Sequence, residues 1–286
     1  MKIVAVVVTY NRLELLKKNI QCLYNQSRQL DEIIVVDNCS TDGTFEYCRE
    51  LATKDDKFIF VHLNENTGGA GGFSVAVKKA IEENADYIWG MDDDAMPRDT
   101  ALEKLINKID YYKNDKYCFA SNTYFYDKEH TLRQIQFEND CEIKHLTFVG
   151  FFISKDLVKQ IGFPREDLFI YYDDLDYSMR ILENRYRIIG IADSVIEHPY
   201  IMPQNDKKIL FFTVNVPQMP KWKMYYWMRN NLLIRKGQKR KYVKTLVIEI
   251  YVWLKLLIFN PSNCKVAMKG IMHGICGKTG HMTNMP

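Results

Sequence analysis

Residues 2–10, KIVAVVVTY, contain an unbroken apolar run that is mostly β-branched and ends at Thr9. Such runs are typical of parallel strands that are covered on both faces. The run is short and no small-residue cleavage site follows it, which distinguishes it from a signal peptide. It therefore predicts a buried strand at the start of a parallel sheet.

Helical patterns and further apolar runs alternate after this strand. Four apolar residues repeat on one helical face: Leu13, Leu16, Ile20 and Leu23. Further apolar runs lie within residues 31–40, 58–66 and 86–94, with helical patterns between them. Strands that alternate with helices predict a parallel α/β sheet, in which ligands bind beyond the carboxyl ends of the strands.

The composition is that of an ordinary soluble enzyme, with 47% hydrophobic and 26% charged residues in a chain of 286. The formal net charge of +3 is too small to indicate nucleic-acid binding by itself. Seven cysteines form no CxxC pair. This odd count, without a secretory signal, predicts reduced thiols and a cytoplasmic location.

The pattern of the chain changes along its length. We expect a catalytic domain over residues 1–205, with its nucleotide-binding part over about 1–100. An acceptor-side part follows over about 101–205, where the alternation gives way to mixed aromatic strands. Residues 206–286 are basic and aromatic and are predicted to form a helical C-terminal extension.

Polar residues and glycines follow four of the predicted strands. In chain order they are Thr9 to Arg12 with Asn11 between them, Asp37 and Asn38, Asn66 with the glycines of 68–72, and Asp92 to Asp94. Because the carboxyl ends of neighbouring parallel strands meet at one edge of the sheet, we expect these segments to form one crevice.

Three successive carboxylates, Asp92, Asp93 and Asp94, end the fourth predicted strand. If the strand continued through them, Asp92 and Asp94 would share a side and Asp93 would point away. Two carboxylates on one side, with substrate phosphates, are a common way to hold Mg²⁺ or Mn²⁺. The alternative is a solvated acidic turn whose aspartates cap the helix from about residue 100.

The glycines at 68, 69, 71 and 72 indicate a backbone that something approaches closely. A phosphate is one candidate, and tight packing of a helix on a strand is the other. The segment lacks the Lys-Ser/Thr of a P-loop, and no GxGxxG follows the first strand. These absences exclude a P-loop and a dinucleotide site of the usual kind.

A second acidic cluster, Asp173, Asp174 and Asp176, begins a predicted helix after an aromatic run. A carboxylate in an aromatic pocket suits a general base, whereas plain helix capping is the alternative for Asp174. His198 follows a later predicted strand and is either a ligand or a satisfied polar residue. The other histidines show no zinc-binding spacing.

Six segments, in order, carry a resemblance: VVVTYNR, IIVVDNCSTDGT, NTGGAGGF, MDDDA, YYDDLDYSMR and IEHPY. Together they resemble a family 2 inverting glycosyltransferase of the GT-A fold, a Rossmann-like, mostly parallel sheet flanked by helices. The resemblance covers about residues 3–200. Within the family it is closest to bacterial galactofuranosyltransferases and rhamnosyltransferases.

The resemblance implies a role for each matching residue. Thr9 and Arg12 would line the nucleobase site, Asn11 would be among the nucleotide- or donor-binding residues, and Asp37 would hydrogen-bond the base. Asn66, Gly68, Gly69 and Gly72 would lie along the nucleotide and the donor sugar, with Asp93 among the donor-binding residues. Asp92 and Asp94 would form the metal-binding DxD element, and His198 would complete the protein's ligands to Mn²⁺ or Mg²⁺. Asp174 would be the catalytic base, and Arg229 would approach a phosphate.

This resemblance implies one displacement with inversion, from a UDP-sugar donor to a glycan or lipid-linked glycan acceptor, with galactofuranose as the favoured sugar. Transfer of rhamnose from dTDP-rhamnose, or of another hexose from UDP, is the alternative. A nucleotidyltransferase is disfavoured because no basic residue follows a glycine loop after the first strand. A non-catalytic adaptor at a membrane surface is a hypothesis from another class.

The basic, aromatic tail has two interpretations. The apolar segment 242–259 contains Lys244, Glu249 and Lys255, so it is a poor transmembrane helix. An amphipathic helix on an anionic membrane surface would place the protein on the inner face of the cell membrane. A helical region that packs on the catalytic core or on a second subunit is the alternative.

Overall fold

The structure is a computed structural model, and it describes residues 1–112, 116–127, 129–199 and 216–282, with the backbone of 206–209 and 212–215. Clustering of its contacts gives two compact units. The first contains residues 1–166 and 174–201, and the second contains 167–173 and 202–286. The assignment of residues 167–173 to the second unit has no counterpart in the sequence pattern.

The first unit is built on a ten-stranded mixed sheet. Its strands are β1 (Ile3–Thr9), β2 (Glu32–Asp37), β3 (Phe58–His62), β4 (Tyr87–Asp92), β5 (Met96–Pro97), β6 (Tyr117–Tyr126), β7 (Leu132–Ile135), β8 (Cys141–Ile143), β9 (Phe151–Ser154) and β10 (Arg187–Pro199). Its helices are α1 (Leu13–Tyr24), α2 (Thr44–Lys54), α3 (Gly68–Glu82), α4 (Ala101–Tyr111), α5 (Lys155–Ile161) and α6 (Asp173–Glu183).

The strand order is β3-β2-β1-β4-β9-β6-β10-β5, with β7 beside β6 and β8 beside β10. The first four strands in this order are parallel, as predicted. Antiparallel β9 then lies between β4 and β6. The mixed second half therefore continues the same sheet.

Both faces of β1 are covered, which explains its unbroken apolar run. Ile3, Ala5 and Val7 belong to a core with α1, α2 and α4. Val4, Val6 and Val8 belong to a second core with α3, α5 and α6. Helices on both faces of a mostly parallel sheet give the Rossmann-like architecture.

The second unit contains a hairpin of β11 (Asp206–Ile209) and β12 (Phe212–Asn215), and the helices α7 (Lys221–Leu233), α8 (Lys239–Phe259) and α9 (Pro261–Cys276). Helices α7 and α9 approach closely because α9 carries glycines at the contact. A Cβ at Gly270 would lie 2.6 Å from the carbonyl oxygen of Tyr225, and a Cβ at Gly274 would lie 2.8 Å from that of Arg229. Among the described residues, no helix is long and apolar enough to cross a membrane.

Arg229 lies inside this unit, and its position contradicts the expected approach to a phosphate. Its side chain is 1% exposed, and its guanidinium donates to the carbonyl oxygens of Leu168 and Gly280 at 3.0 and 2.7 Å. Asn230 donates to the carbonyls of Leu168 and Ile170, both at 2.8 Å. Both residues therefore hold the segment 167–173, in which Phe169, Tyr171 and Tyr172 have positive φ angles.

Candidate active site

The glycine cluster forms the first turns of α3, which begins at Gly68. A Cβ at Gly72 would overlap Cγ1 of Val8 on β1, so this glycine lets the helix pack closely on the strand. Among the described residues, a Cβ built at Gly69 would meet no heavy atom within 4 Å apart from its chain neighbours and the backbone of its own helix. Packing therefore accounts for Gly72, whereas Gly69 is open to a ligand.

Two asparagines hold the beginning of α3. The side chain of Asn38 accepts from Thr67 N and donates to Gly68 O, both at 2.8 Å, and Asn66 Oδ1 accepts from Gly68 N at 2.8 Å. The first backbone N–H groups of a helix lack partners within the helix and favour anions. The side chains of Asn38 and Asn66 thus fix the amino end of α3 at the carboxyl ends of β2 and β3.

The strand β4 ends at Asp92, and Asp93 and Asp94 lie in the turn that follows. The expected alternation of side chains therefore fails, because it required the strand to continue. Arg12 Nη1 lies 3.1 Å from Asp93 Oδ1 and 2.7 Å from Asp94 Oδ2. The charge of Asp92 also acts on this guanidinium. Asp93 and Asp94 thus both form ion pairs with Arg12.

Asp93 is 3% exposed and accepts a hydrogen bond from Thr9 Oγ1 at 2.7 Å. Burial raises the pKa of Asp93, although Thr9 and Arg12 oppose that effect. Burial acts in the same sense on Asp94, but the contacts with His198 and Arg12 outweigh it and lower the pKa of Asp94. Asp94 is therefore the more acidic member of the pair.

His198 lies beside Asp94 because its strand, β10, pairs with the two-residue strand β5, which follows the turn of Asp93 and Asp94. Its Nε2 lies 3.2 Å from Asp94 Oδ1, and its Nδ1 lies 3.0 Å from the carbonyl oxygen of Pro199. Burial is the largest single effect and lowers the pKa of His198, but the hydrogen bond and charge of Asp94 and the carbonyl of Pro199 together outweigh it and raise the pKa overall. Carbonyl contacts of this kind orient the imidazoles that bind metals.

Asp37 is fully buried, and both of its carboxylate oxygens contact other residues of the protein. Oδ1 accepts from Ser40 N at 3.0 Å, and Oδ2 lies 2.8 Å from Nδ1 of His62, which ends β3. Since a carboxylate accepts, Nδ1–H of His62 donates to it and the ring is oriented with Nε2 on the far side. His62, and not Asp37, is the member of this pair that lines a cavity.

That cavity has a volume of about 320 Å³ and lies at the carboxyl ends of β2 and β3; its lining residues are Ser40, Thr41, Gly43, Phe45, Glu46 and His62. The ring of Phe45 packs edge-on against His62, with centroids 4.8 Å apart. Asn11 fixes the loop beside it, since its Oδ1 accepts from Thr41 N at 2.7 Å. The sequence pattern indicated Asn11 but gave no signal for His62 or Phe45.

Asp174 lies in the first turn of α6 and pairs with a histidine that the sequence analysis did not select. Its Oδ2 lies 3.2 Å from Nε2 of His145, and its Oδ1 accepts from Leu175 N at 2.7 Å. His145 precedes β9, whose first residue, Phe151, pairs with Gly90 near the carboxyl end of β4. The neighbouring Asp176 forms ion pairs with Arg180 and Arg165 instead.

The sequence matches the profile described as "Glycosyl transferase family 2" over residues 4–171. It is 39% identical over 99 residues to galactofuranosyltransferase GlfT1 of Mycolicibacterium smegmatis, a match that covers 34% of this chain and 32% of that protein. It is 26% identical over 252 residues to the dTDP-rhamnosyl transferase RfbF of Shigella flexneri, covering 82% of this chain and 80% of that protein.

Two solved structures share the fold. The crystal structure of S. aureus TarS has a TM-score of 0.59 at 18% identity, covering 92% of this chain and 45% of that chain. GalNAc-T7, crystallised with UDP, GalNAc and Mn²⁺, has a TM-score of 0.66 at 12% identity, covering 94% of this chain and 55% of that one. These likenesses show the GT-A fold, and the profile match shows that the chain belongs to glycosyl transferase family 2.

Proposed function

We propose that this protein is an inverting, metal-dependent glycosyltransferase that moves a sugar from a nucleoside diphosphate to a hydroxyl of a bacterial surface or capsular glycan precursor. The observation that carries the proposal is the Asp94–His198 pair beside Arg12, at the carboxyl ends of parallel strands. This arrangement supplies ligands for a cation and a positive group for a diphosphate. Family membership supports the reaction class.

The donor set fits a divalent cation that the protein coordinates only in part. Among the described residues, no group of three His, Cys, Asp or Glu side chains could hold a metal ion. Asp94 and His198 would therefore hold Mn²⁺ or Mg²⁺ together with diphosphate oxygens, whereas Asp92 does not form a three-residue ligand group with them. A bound ion would act as a Lewis acid and neutralise charge on the departing diphosphate.

The positions of the strand ends suit an extended nucleotide. The cavity beside His62 follows β2 and β3, and the acidic turn follows β4. In the order β3-β2-β1-β4 the ends of β3 and β4 are three strand spacings apart, which is about 14 Å. A nucleoside diphosphate laid along this edge would place its base against His62 and Phe45. Its phosphates would then face Gly69 and Arg12.

Asp174 is the base in this proposal. Its carboxylate would accept the proton of the acceptor hydroxyl as that oxygen attacks the anomeric carbon. His145 contacts the same carboxylate and would orient it. A single displacement from the face opposite the leaving diphosphate inverts the anomeric carbon, and no covalent enzyme nucleophile is required.

Galactofuranose from a UDP donor is the favoured sugar, because the GlfT1 relative has the higher identity. The RfbF relative, which matches over most of both chains, supports dTDP-rhamnose as the alternative. The glucosyltransferase WfaP of Escherichia coli, 25% identical over 188 residues, is named for a UDP-Glc donor and a diphosphoundecaprenol-linked acceptor. We propose a glycan or lipid-linked acceptor and a cytoplasmic enzyme that is peripheral to the inner membrane face.

A panel of sugar nucleotides tests the function. The full chain is incubated with UDP-galactofuranose, UDP-glucose or dTDP-rhamnose, with and without Mn²⁺, and with candidate acceptors. We expect release of the nucleoside diphosphate with one donor only when Mn²⁺ is present. Product mass would identify the transferred sugar, and NMR of the new linkage would report inversion. Retained anomeric configuration, or turnover unaffected by chelation, would contradict the mechanism.

A further inference from the structure

The surface of α8 is unusual because its apolar side chains face solvent. Eight of them are 41–72% exposed: Val243, Val247, Ile248, Ile250, Tyr251, Leu254, Leu257 and Ile258. The spacing of 243, 247, 250, 254 and 258 repeats every three or four residues, so these side chains share one face. From residue 243 to residue 258 this apolar stripe extends for about 23 Å.

The opposite face of α8 is already packed, which fixes the direction of the stripe. Thr245, Glu249 and Leu256 are buried. Glu249 accepts a hydrogen bond from Asn231 of α7, and Leu256 belongs to the core of α7 and α9. The helix cannot turn the stripe inward without exposing this core. The stripe is therefore an outward surface of the second unit.

The charge around the stripe has one sign. Residues 216–286 contain thirteen Lys and Arg residues and a single acidic residue, Glu249, which is 0% exposed. This region contributes a formal +12 to a chain of net +3, so the first 215 residues carry −9. On α8, Lys239, Arg240 and Lys241 form the first turn, and Lys244 and Lys255 follow.

We propose that the α8 stripe lies on an anionic lipid surface, with its apolar side chains inserted at the headgroup level and its cations on lipid phosphates. The helix would lie in the plane of the interface, since it is not apolar enough to cross a membrane. Long Lys and Arg side chains place their stems against apolar surface and their charges at the headgroups. The proposal does not depend on the transfer reaction.

The positive charge around the α8 stripe favours an anionic lipid surface over a second copy of the chain or a nucleic acid as the binding partner. A second copy that met this stripe with its own α8 would bring the same positive charge to the contact, without exposed carboxylates on α8 to compensate it. A nucleic acid would satisfy the cations but would leave the apolar stripe in water. An anionic bilayer satisfies both the cations and the stripe.

Sedimentation of the full chain with lipid vesicles tests the proposal. We expect the protein to pellet with vesicles of phosphatidylglycerol and phosphatidylcholine, and to stay in solution with phosphatidylcholine alone. The double variant Val247→Gln/Leu254→Gln should lose about tenfold or more of its partition coefficient. The triple variant Lys239→Gln/Arg240→Gln/Lys241→Gln should lose the preference for anionic lipid.

Matched controls come from the first unit. Tyr111 is 79% exposed and Lys54 has a side-chain exposure of 65%, so Tyr111→Gln and Lys54→Gln change equally accessible groups outside α8. Both should pellet like the wild type. Circular dichroism of every variant verifies folding, and nucleotide binding measured without vesicles tests the proposed function separately.

Three outcomes would overturn the proposal. The first is equal pelleting of the wild type and both α8 variants. The second is a dimer in analytical ultracentrifugation that the apolar double variant dissociates, without vesicle binding, which would assign the stripe to a second copy. The third is binding to single-stranded RNA that the charge variant alone abolishes, again without vesicle binding.

Discussion

At the scale of single residues, the site depends on contacts between side chains that are distant in sequence. Arg12 meets Asp93 and Asp94, His198 meets Asp94, and Asp174 meets His145. Each contact involves a charged or titratable group at a strand or helix end. Substitutions that remove one group without changing its volume greatly can therefore separate binding from catalysis.

The Asp94–His198 pair is expected to carry metal-dependent nucleotide binding. Asp94→Ala and His198→Ala should each weaken UDP or dTDP binding in the presence of Mn²⁺ by about tenfold to a hundredfold. Binding without metal should change little. Titration calorimetry with and without Mn²⁺ measures both values. Wild-type affinity in both variants would remove these residues from the metal site.

Asp174→Asn should stop transfer while leaving donor binding intact, because the amide cannot accept the hydroxyl proton. We expect a loss of about a hundredfold or more in turnover at saturating donor. His145→Gln, which changes only the orienting partner, should have a smaller effect. Steady-state kinetics with the donor identified by the panel gives these values. Near-normal turnover in Asp174→Asn would require another base.

His62→Ala should weaken the binding of the whole nucleotide but not that of inorganic pyrophosphate, because the change is confined to the predicted base cavity. Asp37→Asn should cause part of the same loss, since it removes the carboxylate that orients His62. Competition of UDP and pyrophosphate for the site distinguishes base from phosphate contacts. An equal loss for both ligands would contradict the assignment.

At the scale of secondary-structure elements, the sequence predicted those features that follow from a repeating pattern of apolar residues. The two faces of β1 and the helix α1 follow directly from the spacing of apolar residues. The end of β4 did not follow, because the sequence MDDDA does not say at which aspartate the strand gives way to a turn. His62 and His145 also carry no local signal, since their partners Asp37 and Asp174 lie far along the chain.

The two glycines of α3 make a matched test of packing. Gly72→Ala would press a Cβ against Val8 and should reduce the free energy of unfolding by about 1–3 kcal/mol. Gly69→Ala has open space and should raise it by about 0.5–1 kcal/mol through helix propensity. Urea unfolding of both variants checks the difference in sign. Similar stabilities would show that α3 can shift on β1.

At the scale of the whole molecule, acidic and basic residues separate into different regions, which the overall charge of +3 conceals. The sequence showed this separation directly. The exposure of the α8 stripe did not follow from the sequence, because its apolar residues are equally compatible with a buried helix. Only the packed positions of Thr245, Glu249 and Leu256 show which side faces outward.

Global stability should depend on pH through Glu249. Burial raises the pKa of Glu249 to about 7, so the folded chain retains this proton at a pH where the unfolded chain, with a pKa near 4.5, has lost it. Stability should therefore fall by about 3 kcal/mol from this group as pH rises from about 4.5 to 7, and then level off.

The variant Glu249→Gln should remove this fall, because the amide does not titrate. Urea unfolding at pH 5 and pH 8 of the wild type, Glu249→Gln and the exposed control Glu65→Gln measures it. We expect the control to keep the wild-type difference between the two pH values. If Glu249→Gln also keeps that difference, then another group is responsible.

Because β10 pairs with β5, the proposed metal site can form only late in the synthesis of the chain. The ribosome releases Arg12 and Asp94 early, together with the four parallel strands and their helices. The imidazole of His198 emerges only after β6 to β9 and α6 have been synthesised. A translation intermediate that ends before β10 would therefore have the proposed nucleotide-binding edge with only one of the two proposed metal ligands, Asp94, so the proposed donor site would be completed only when β10 pairs with β5.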